Sequence, residues 1–267
     1  DTSIIADYGL IEPSKFINKE NLDLIKNVLL EMMEMEEIDC DHAENDSDSV
    51  LYPIVSFGKA DVCYIDDFFE AVLAQSLTDS ASEIYFTTAY VNPTAHLCRK
   101  LANLTQSTNT LNIILPNPKT SIFYKQGFIK NHIASMYGLY IKSLIEIFKG
   151  LPNAILTEYT RSNNKTYHAK GLWISKTGFM SSRSSNTKSI FTLIGSSNFN
   201  ERSRIRDLEL NFAIFTKGEN LITQLTNELK CILRYTKPLE IKDETDREEY
   251  KTPILCHMLM NVAKSYF

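Results

Sequence analysis

The chain has 267 residues, 43% of them hydrophobic, which is enough to bury one large core or two small ones. Its net charge of −5 argues against a protein that binds duplex nucleic acid, because such proteins usually present a basic surface. No apolar run is long enough to span a bilayer. The five cysteines are scattered without a C-x-x-C pair, which is typical of free thiols in a reducing compartment.

Three regions follow one another along the chain. Residues 1–50 are predicted to hold a helix from Glu20 to Glu37 and then an acidic linker. Residues 51–235 alternate between helical and strand patterns and are predicted to form the main domain. Residues 236–267 are predicted to form a helical C-terminal tail. Because the chain opens with Asp1 rather than Met, we expect that processing or truncation has removed an N-terminal part.

The main domain is predicted to be an α/β layer fold with a parallel or mixed sheet, because its strands and helices alternate. The predicted strands cover 83–91, 111–115, 154–159, 167–174, 190–194 and 207–216. The predicted helices cover 66–77, 94–104, 131–149 and 220–235. Ligands of such sheets bind at strand ends. This places Asn92, Asn117 and the turn at Gly195 near one rim.

The reactive groups of the chain begin with His168 and Lys170. Tyr167–Ile174 is predicted to be a strand, so these two side chains, two positions apart, project from the same face. Imidazole beside ammonium is a poor core pair but suits a phosphate. The lysine supplies positive charge, and the histidine attacks phosphorus or transfers a proton near neutral pH.

A second cluster of polar residues lies downstream of this pair. The apolar run Ile190–Ile194 is predicted to be a buried strand that ends at Gly195. Ser196 and Asn198 then offer hydrogen bonds to a phosphoryl oxygen or to the histidine and lysine side chains. Glu209, on the next predicted strand, is expected to accept the second ring N–H of a histidine.

The order H-x-K, G-S-x-N and R-S-x-x-x-x-x-E resembles the second motif of the phospholipase D superfamily. The segments Y-H-A-K-G-L-W, T-L-I-G-S-S-N-F and R-S-R-I-R-D-L-E are similar to the C-terminal half of the eukaryotic mitochondrial phosphatidylglycerophosphate synthases. The resemblance covers residues 60–267, with a looser match outside the motif. The chain departs from the superfamily in two ways: Ser175 stands where an Asp is usual, and only one H-x-K is present.

The resemblance implies a phospholipase D-like mixed sheet flanked by helices, forming one half of a two-motif enzyme. It implies phosphatidyl transfer from CDP-diacylglycerol to glycerol 3-phosphate through a phosphohistidine, with release of CMP. His168 is expected to be the acid/base partner of a nucleophilic histidine. That histidine belongs to a second H-x-K, which comes from an upstream half of the same chain or from a homodimer.

The resemblance also implies a setting for the reaction. No metal or other cofactor is expected, because lysines supply the positive charge. Asn92, Asn117, Arg202 and Arg206 are candidates for substrate binding. Peripheral contact with the mitochondrial inner membrane is expected because the substrate is a lipid, whereas nucleic acid is not an expected partner.

Three other functions remain open from the residues. A cardiolipin or phosphatidylserine synthase of the same superfamily would share the site and differ in the acceptor alcohol. A nuclease with one motif per chain would complete its site by homodimerisation, although the acidic charge balance argues against it. A chain without its partner motif could also persist as a binding module, against which the intact His168 and Lys170 argue.

Overall fold

The computed structural model describes residues 22–24, 26–28, 48–63, 68, 82–105, 109–124, 127–160, 166–176, 178–179, 189–239, 247–254 and 256–258. Residues 22–24 and 26–28 are helical, as predicted for Glu20–Glu37, and the rest of that segment lies outside the described residues. The same holds for most of the helix predicted over 66–77, of which Phe68 is helical. In the predicted helical C-terminal tail, residues 254 and 256–258 are helical, whereas 240–246, 255 and 259–267 lie outside the described residues.

Nine strands of the described residues form one mixed sheet in the order β2-β1-β8-β7-β6-β3-β4-β5-β9. Their bounds are β1 Ser49–Phe57, β2 Val62–Cys63, β3 Glu83–Thr87, β4 Thr110–Pro116, β5 Ala154–Tyr159, β6 Gly171–Ser175, β7 Ile190–Gly195, β8 Leu208–Thr216 and β9 Thr236–Pro238. The pairs β3–β4 and β4–β5 are parallel, and the other pairs are antiparallel. The sheet is therefore mixed, as the sequence predicted.

Helices connect the parallel strands, as parallel pairing requires. Four α-helices lie wholly within the described residues: α1 Ala95–Leu104, α2 Phe128–Phe148, α3 Glu201–Ile205 and α4 Glu219–Leu233. The Thr94 hydroxyl caps α1 by accepting from the Leu97 amide at 3.1 Å. Gly127, with φ 99°, precedes α2 and supplies a backbone conformation that other residues rarely adopt. No helix within the described ranges is both long and apolar enough to cross a bilayer.

The two faces of the sheet are covered by different helices. One core cluster joins α1 and α2 to the sheet through side chains such as Leu101, Tyr140 and Leu172. The other joins α4 to the opposite face through Trp173 and Leu229. Successive residues of a strand point to opposite faces, which explains why Leu172 and Trp173 belong to different clusters.

Several elements were not predicted from the sequence. Strand β1 contains Pro53, which weakens a strand pattern, and β9 has only three residues. Helix α3 has five residues, too few to show a helical period. Because β9 pairs with β5, the sheet reaches residue 238, beyond the limit of 235 that was drawn for the main domain.

The strand that carries the H-x-K motif begins later than predicted. The prediction started it at Tyr167, whereas β6 starts at Gly171. His168 and Lys170 therefore lie in the segment that leads into β6, not on the strand. The alternation argument that placed their side chains on one face does not apply, and their proximity has another cause.

Candidate active site

The polar ends of the central strands meet at one edge of the sheet. Because β3 and β4 are parallel, both end at this edge. The antiparallel register pairs Thr87, the last residue of β3, with Gly171, the first of β6. Gly171 in turn lies opposite Ile194, next to the end of β7. The loops after Thr87, after β4 and after Gly195 thus share an edge with the H-x-K segment, as predicted.

His168 and Lys170 touch each other at this edge. The Lys170 ammonium nitrogen lies 3.1 Å from Nδ1 and 3.3 Å from Nε2 of His168. It also donates a hydrogen bond of 3.1 Å to the backbone carbonyl of His168. The lysine side chain therefore folds back over the histidine, and this contact brings the pair together. The His168 residue is exposed and Lys170 is half-buried.

The environment of the pair changes the proton affinity of both groups. Although much of His168 is exposed, the partial burial of its ring lowers its pKa, and the positive charge of Lys170 lowers it further. Burial also lowers the pKa of Lys170, while the nearby Glu209 carboxylate acts in the opposite direction. At neutral pH the imidazole is therefore neutral, so one of its nitrogens can accept a proton or attack phosphorus.

Ser196 and Glu209 form the second polar pair of the site. The Ser196 hydroxyl donates a short hydrogen bond to Oε2 of Glu209 and accepts one of 3.0 Å from the Leu210 amide. Glu209 is buried, with 5% of its surface exposed. Its charge also acts on Lys170, so it connects the serine with the lysine. Its predicted hydrogen bond to a histidine ring stays a prediction, because the contact seen on this carboxylate is with Ser196.

Gly195 allows β7 and β8 to approach closely beside the site. A methyl group built at Gly195 would lie 2.4 Å from the Leu210 carbonyl oxygen and 2.5 Å from Cα of Asn211. Real Cβ atoms essentially never come this close to backbone atoms. The glycine of G-S-x-N therefore lets the next residue, Ser196, reach the Glu209 carboxylate.

The loop around Asn198 is held by several hydrogen bonds. The Asn198 carbonyl accepts from the Thr88 hydroxyl at 2.7 Å, and its amide donates to the Ser203 hydroxyl at 3.3 Å. Its side-chain Oδ1 is buried and has no hydrogen-bond partner among the described residues. The next residue, Phe199, has a left-handed backbone with φ 54°, which is costly for an aromatic residue. Strain and an unpaired polar atom thus occur together in this loop.

The candidates for substrate binding occupy different positions. The carbonyl of Asn92 accepts from the Glu201 amide at 3.3 Å, and its side chain is buried. The Asn117 oxygen accepts from the Lys119 amide at 2.8 Å, and its NH₂ group donates to Glu158 at 2.9 Å. Asn117 therefore shapes the loop after β4 and contacts a buried carboxylate.

The two arginine candidates lie at α3. Arg202 forms an ion pair of 3.1 Å with Asp207 and is half exposed. Its positive charge lowers the pKa of the Tyr90 and Tyr137 hydroxyls, although burial raises both pKa values by more. Because Tyr90 contacts His168, Arg202 lies on the His168 side of the sheet edge. Arg206 follows α3 and is half-buried.

Tyr90 is a residue of this site that sequence reasoning missed. Its ring lies 5.5 Å from the His168 ring between centroids, at an interplanar angle of 75°. The available signal was an aromatic residue in the loop directly after a buried strand, in the stretch T-T-A-Y-V-N.

The departure at Ser175 lies away from these groups. Ser175 ends β6 and is buried, about 16 Å along the chain from Lys170. The missing Asp therefore does not alter the contacts of His168 or Lys170. Across the described part of the chain, no group of three or more His, Cys, Asp or Glu side chains is arranged to hold a metal ion.

Comparison with known proteins places this geometry in a family. The family model described as "Cardiolipin synthase, PLD-like domain" matches residues 73–233, which include every strand from β3 to β8 and all the residues of the site. The chain belongs to the phospholipase D-like family. The resemblance inferred from the H-x-K and G-S-x-N patterns is confirmed.

Two relatives of this phospholipase D-like chain carry the same name. A CDP-diacylglycerol–glycerol-3-phosphate 3-phosphatidyltransferase from Saccharomyces cerevisiae is 30% identical over 216 residues, covering 76% of this chain and 40% of the relative. The mitochondrial enzyme of that name from Gallus gallus is 30% identical over 186 residues, covering 68% of this chain and 31% of the relative. The chain thus spans about 30–40% of the length of the curated relatives it matches.

A solved structure shares the phospholipase D-like fold. The phosphatidylserine synthase of Haemophilus influenzae superposes with a TM-score of 0.65 at 19% identity, covering 82% of this chain and 48% of that one. At this identity the likeness concerns the fold, and it confirms the predicted mixed sheet flanked by helices.

Proposed function

We propose that the chain is one catalytic half of a phosphatidyltransferase that transfers the phosphatidyl group of CDP-diacylglycerol to glycerol 3-phosphate. The products are phosphatidylglycerophosphate and CMP. The relatives from Saccharomyces cerevisiae and Gallus gallus, named for this reaction, support the substrate pair. The observation that carries the proposal is the contact between the neutral His168 imidazole and the Lys170 ammonium group at the sheet edge.

The two steps of the reaction divide between two histidines. In the first, the histidine of a second H-x-K attacks phosphorus, an N–P bond forms, the P–O bond to CMP breaks, and CMP leaves as an anion. In the second, His168 takes the proton of the glycerol 3-phosphate hydroxyl. The resulting oxygen attacks phosphorus, and the N–P bond breaks. A neutral imidazole is the form that accepts this proton, which fits the lowered pKa of His168.

Lys170 and Ser196 assist by charge and hydrogen bonding. Among the described residues, the ammonium group makes its hydrogen bonds to His168 atoms, so it can turn to a phosphoryl oxygen without losing a buried partner. Such a charge, positioned where negative charge develops, lowers the barrier to phosphoryl transfer. Ser196 donates to Glu209, whose charge acts on Lys170, and we assign the serine a role in fixing the position of that carboxylate.

An exposed apolar surface supports the need for a second half. Leu208 and Leu210 point to the face of β8 opposite Glu209, with 64% and 46% of their surfaces exposed. Leu51 of β1, across from Ile214 on the same face, is 60% exposed. An apolar surface of this kind, flanking an active site, is typical of an interface. We assign it to the half that carries the other H-x-K.

We extend the proposal to location. The relatives from Gallus gallus and Homo sapiens are named mitochondrial, and CDP-diacylglycerol is a membrane lipid. The enzyme would therefore work on the surface of the mitochondrial inner membrane, in peripheral contact with it.

The test measures whether CMP is released from CDP-diacylglycerol only when glycerol 3-phosphate is present. We would measure it with the 267-residue chain alone and with the chain placed in the matching region of the Saccharomyces cerevisiae relative. His168→Asn should lower kcat by about 10²- to 10⁴-fold, the usual contribution of a positioned proton acceptor. His96→Asn, an exposed histidine of α1, serves as the matched control and should retain activity.

The outcomes separate the alternatives. If the 267-residue chain is active by itself and has the mass of a dimer, a second copy supplies the missing histidine. If only the chain placed in the Saccharomyces cerevisiae relative is active, an upstream half supplies it. Equal CMP release from His168→Asn and the parent protein would refute the role of His168. CMP release with serine or phosphatidylglycerol in place of glycerol 3-phosphate would overturn the acceptor. Cleavage of single-stranded DNA without CMP release would overturn the reaction.

A further inference from the structure

Tyr90 packs against the imidazole of His168 at an angle that is favourable for aromatic pairs. The ring centroids are 5.5 Å apart and the planes are inclined by 75°, which is an edge-to-face arrangement. Tyr90 is half-buried, so part of the imidazole surface is covered by its ring. We therefore expect the Tyr90 ring to add to the burial that lowers the pKa of His168.

The Tyr90 ring is itself held on its other sides. It stacks on Tyr137 of α2 with 5.4 Å between centroids and lies 5.9 Å from Phe123. Phe123 and Tyr137 also stack on each other, 6.3 Å apart. Three aromatic rings from three separate segments therefore form one packed unit, and His168 lies at its edge.

The backbone of Tyr90 is bound to the loop that carries the G-S-x-N motif. The Asn200 side chain donates to the Tyr90 carbonyl at 3.4 Å, and Asn200 also forms a β-bridge with Pro93. The Thr88 hydroxyl donates to the Asn198 carbonyl at 2.7 Å. Tyr90 is thereby fixed relative to both the aromatic unit and the polar loop of the site.

Lys170 cannot hold the imidazole throughout a reaction. Its ammonium group contacts the ring through a flexible side chain, and it must turn away when it binds a phosphoryl oxygen. A ring contact that does not break at that moment is needed to keep the imidazole in one orientation. The edge-to-face contact with Tyr90 meets this need because no atom of Tyr90 has to move.

We propose that Tyr90 is a positioning residue that holds the His168 imidazole in its reactive orientation while Lys170 moves to the substrate. The inference rests on the proposed role of His168 as proton acceptor. Tyr90 acts by contact and exclusion of water and not by charge. Burial raises the pKa of its hydroxyl, against the opposing charge of Arg202, so the hydroxyl is neutral at physiological pH. Among the described residues, the charge of Lys170 acts on His168, and the charge of Glu209 acts on Lys170.

The first test needs no turnover. NMR titration of the His168 ring protons in the 267-residue chain, assigned by their loss in His168→Asn, reports the imidazole directly. We expect an NOE between the His168 and Tyr90 rings in the unsubstituted chain. In Tyr90→Leu the imidazole gains water, so its pKa should rise towards the ordinary value of an exposed histidine. Tyr90→Phe keeps the ring and should titrate like the parent chain.

Tyr235→Leu is the matched control. This half-buried tyrosine makes a similar edge-to-face contact, with Tyr159 at 6.0 Å and 63°, near the C-terminal end of α4. It should leave the His168 titration unchanged. An unchanged titration in Tyr90→Leu, an absent NOE, or an equal shift in Tyr235→Leu would each overturn the positioning role.

The second test is kinetic and uses whichever protein releases CMP, the 267-residue chain or the chain placed in the Saccharomyces cerevisiae relative. Tyr90→Leu should lower kcat about tenfold with little change in KM, the loss expected for one aromatic contact that orients a reacting group. Tyr90→Phe should restore kcat. If the titration shifts as expected but no form of the protein releases CMP, the positioning contact stands and the proposed reaction fails. A normal kcat in Tyr90→Leu would overturn the positioning role.

Discussion

Replacing Gly195 by alanine would place a methyl group against the backbone of β8. The new Cβ would lie 2.4 Å from the Leu210 carbonyl oxygen and 2.5 Å from both Cα and Oδ1 of Asn211. Two of these three atoms are backbone atoms of a paired strand, so the strain cannot be relieved by one side chain turning away. The strands must separate at the point where Ser196 donates to Glu209.

The magnitude follows from this overlap. Forcing an extra methyl group into a packed region costs about 1–3 kcal/mol of unfolding free energy. In a domain of this size each 1 kcal/mol shifts Tm by about 2–4 °C. Gly195→Ala should therefore lower Tm by about 2–12 °C. CMP release should fall as well, because Ser196 moves away from its carboxylate.

The same substitution at Gly138 should change Tm in the opposite direction. It lies inside α2, and a methyl group there meets no atom within 4 Å apart from the adjacent residues and the backbone of its own helix. Alanine is favoured over glycine in a helix by about 1 kcal/mol, so Gly138→Ala should raise Tm by about 2–4 °C. The assay is thermal unfolding of the three proteins followed by circular dichroism. A Tm of Gly195→Ala equal to that of the parent chain would refute the close approach of the two strands, as would a similar loss in both variants.

Three further predictions concern the buried polar groups. Arg247→Met should lower the unfolding free energy by about 1.5–3 kcal/mol, because the fully buried Glu158 loses its nearer cation, at 2.6 Å, and keeps the hydrogen bonds from Asn117 and Tyr250. Both variants would be measured by urea titration. Lys237 lies farther from Glu158, at 3.8 Å, and is more exposed, so Lys237→Met should cost less than about 1 kcal/mol, and equal losses would contradict this ranking. Burial alone would raise the pKa of Glu249, but hydrogen bonds and neighbouring cations lower it overall. Its stabilising contribution is therefore complete above the ordinary pKa of glutamate and is lost as pH falls through the lowered value. Glu249→Gln should show a shallower loss of stability in acid, and an unchanged pH profile of unfolding would count against it. Ser196→Ala should lower kcat and leave a buried carboxylate without its hydroxyl donor, at a cost of about 1–3 kcal/mol in the same titration, and a parent-like kcat would exclude its role.

The elements with a clear period were predictable. The strand Ala154–Tyr159 was predicted with its observed limits, and α1 was predicted within one residue, because Thr94 is a capping residue before an apolar stripe. Strand β1 was missed because Pro53 interrupts its pattern and much of the strand is exposed. Its stability comes from pairing with β8, which is distant in sequence. A local pattern carries no information on such a partner.

The candidate site was also predictable only in part from the sequence. The chemistry of His168, Lys170, Ser196 and Glu209 was visible in residue types and spacing. The reason given for the first two was wrong, because β6 begins at Gly171 and the pair meets through the folded lysine side chain. Asn117 follows its strand as expected, but its amide turns to Glu158. An asparagine after a strand has several possible partners, and only the surrounding chain selects one.

The sequence alone determined which groups are available for phosphoryl chemistry and in what order they occur. It also determined the alternation of helices and strands, because the period of apolar residues is a local property. Tertiary structure decided that the strand ends share one edge, that Tyr90 covers His168, and that Leu208 and Leu210 remain exposed beside the site. These features depend on contacts between residues far apart in the chain, whose geometry is set by packing of the whole sheet and not by any segment of it.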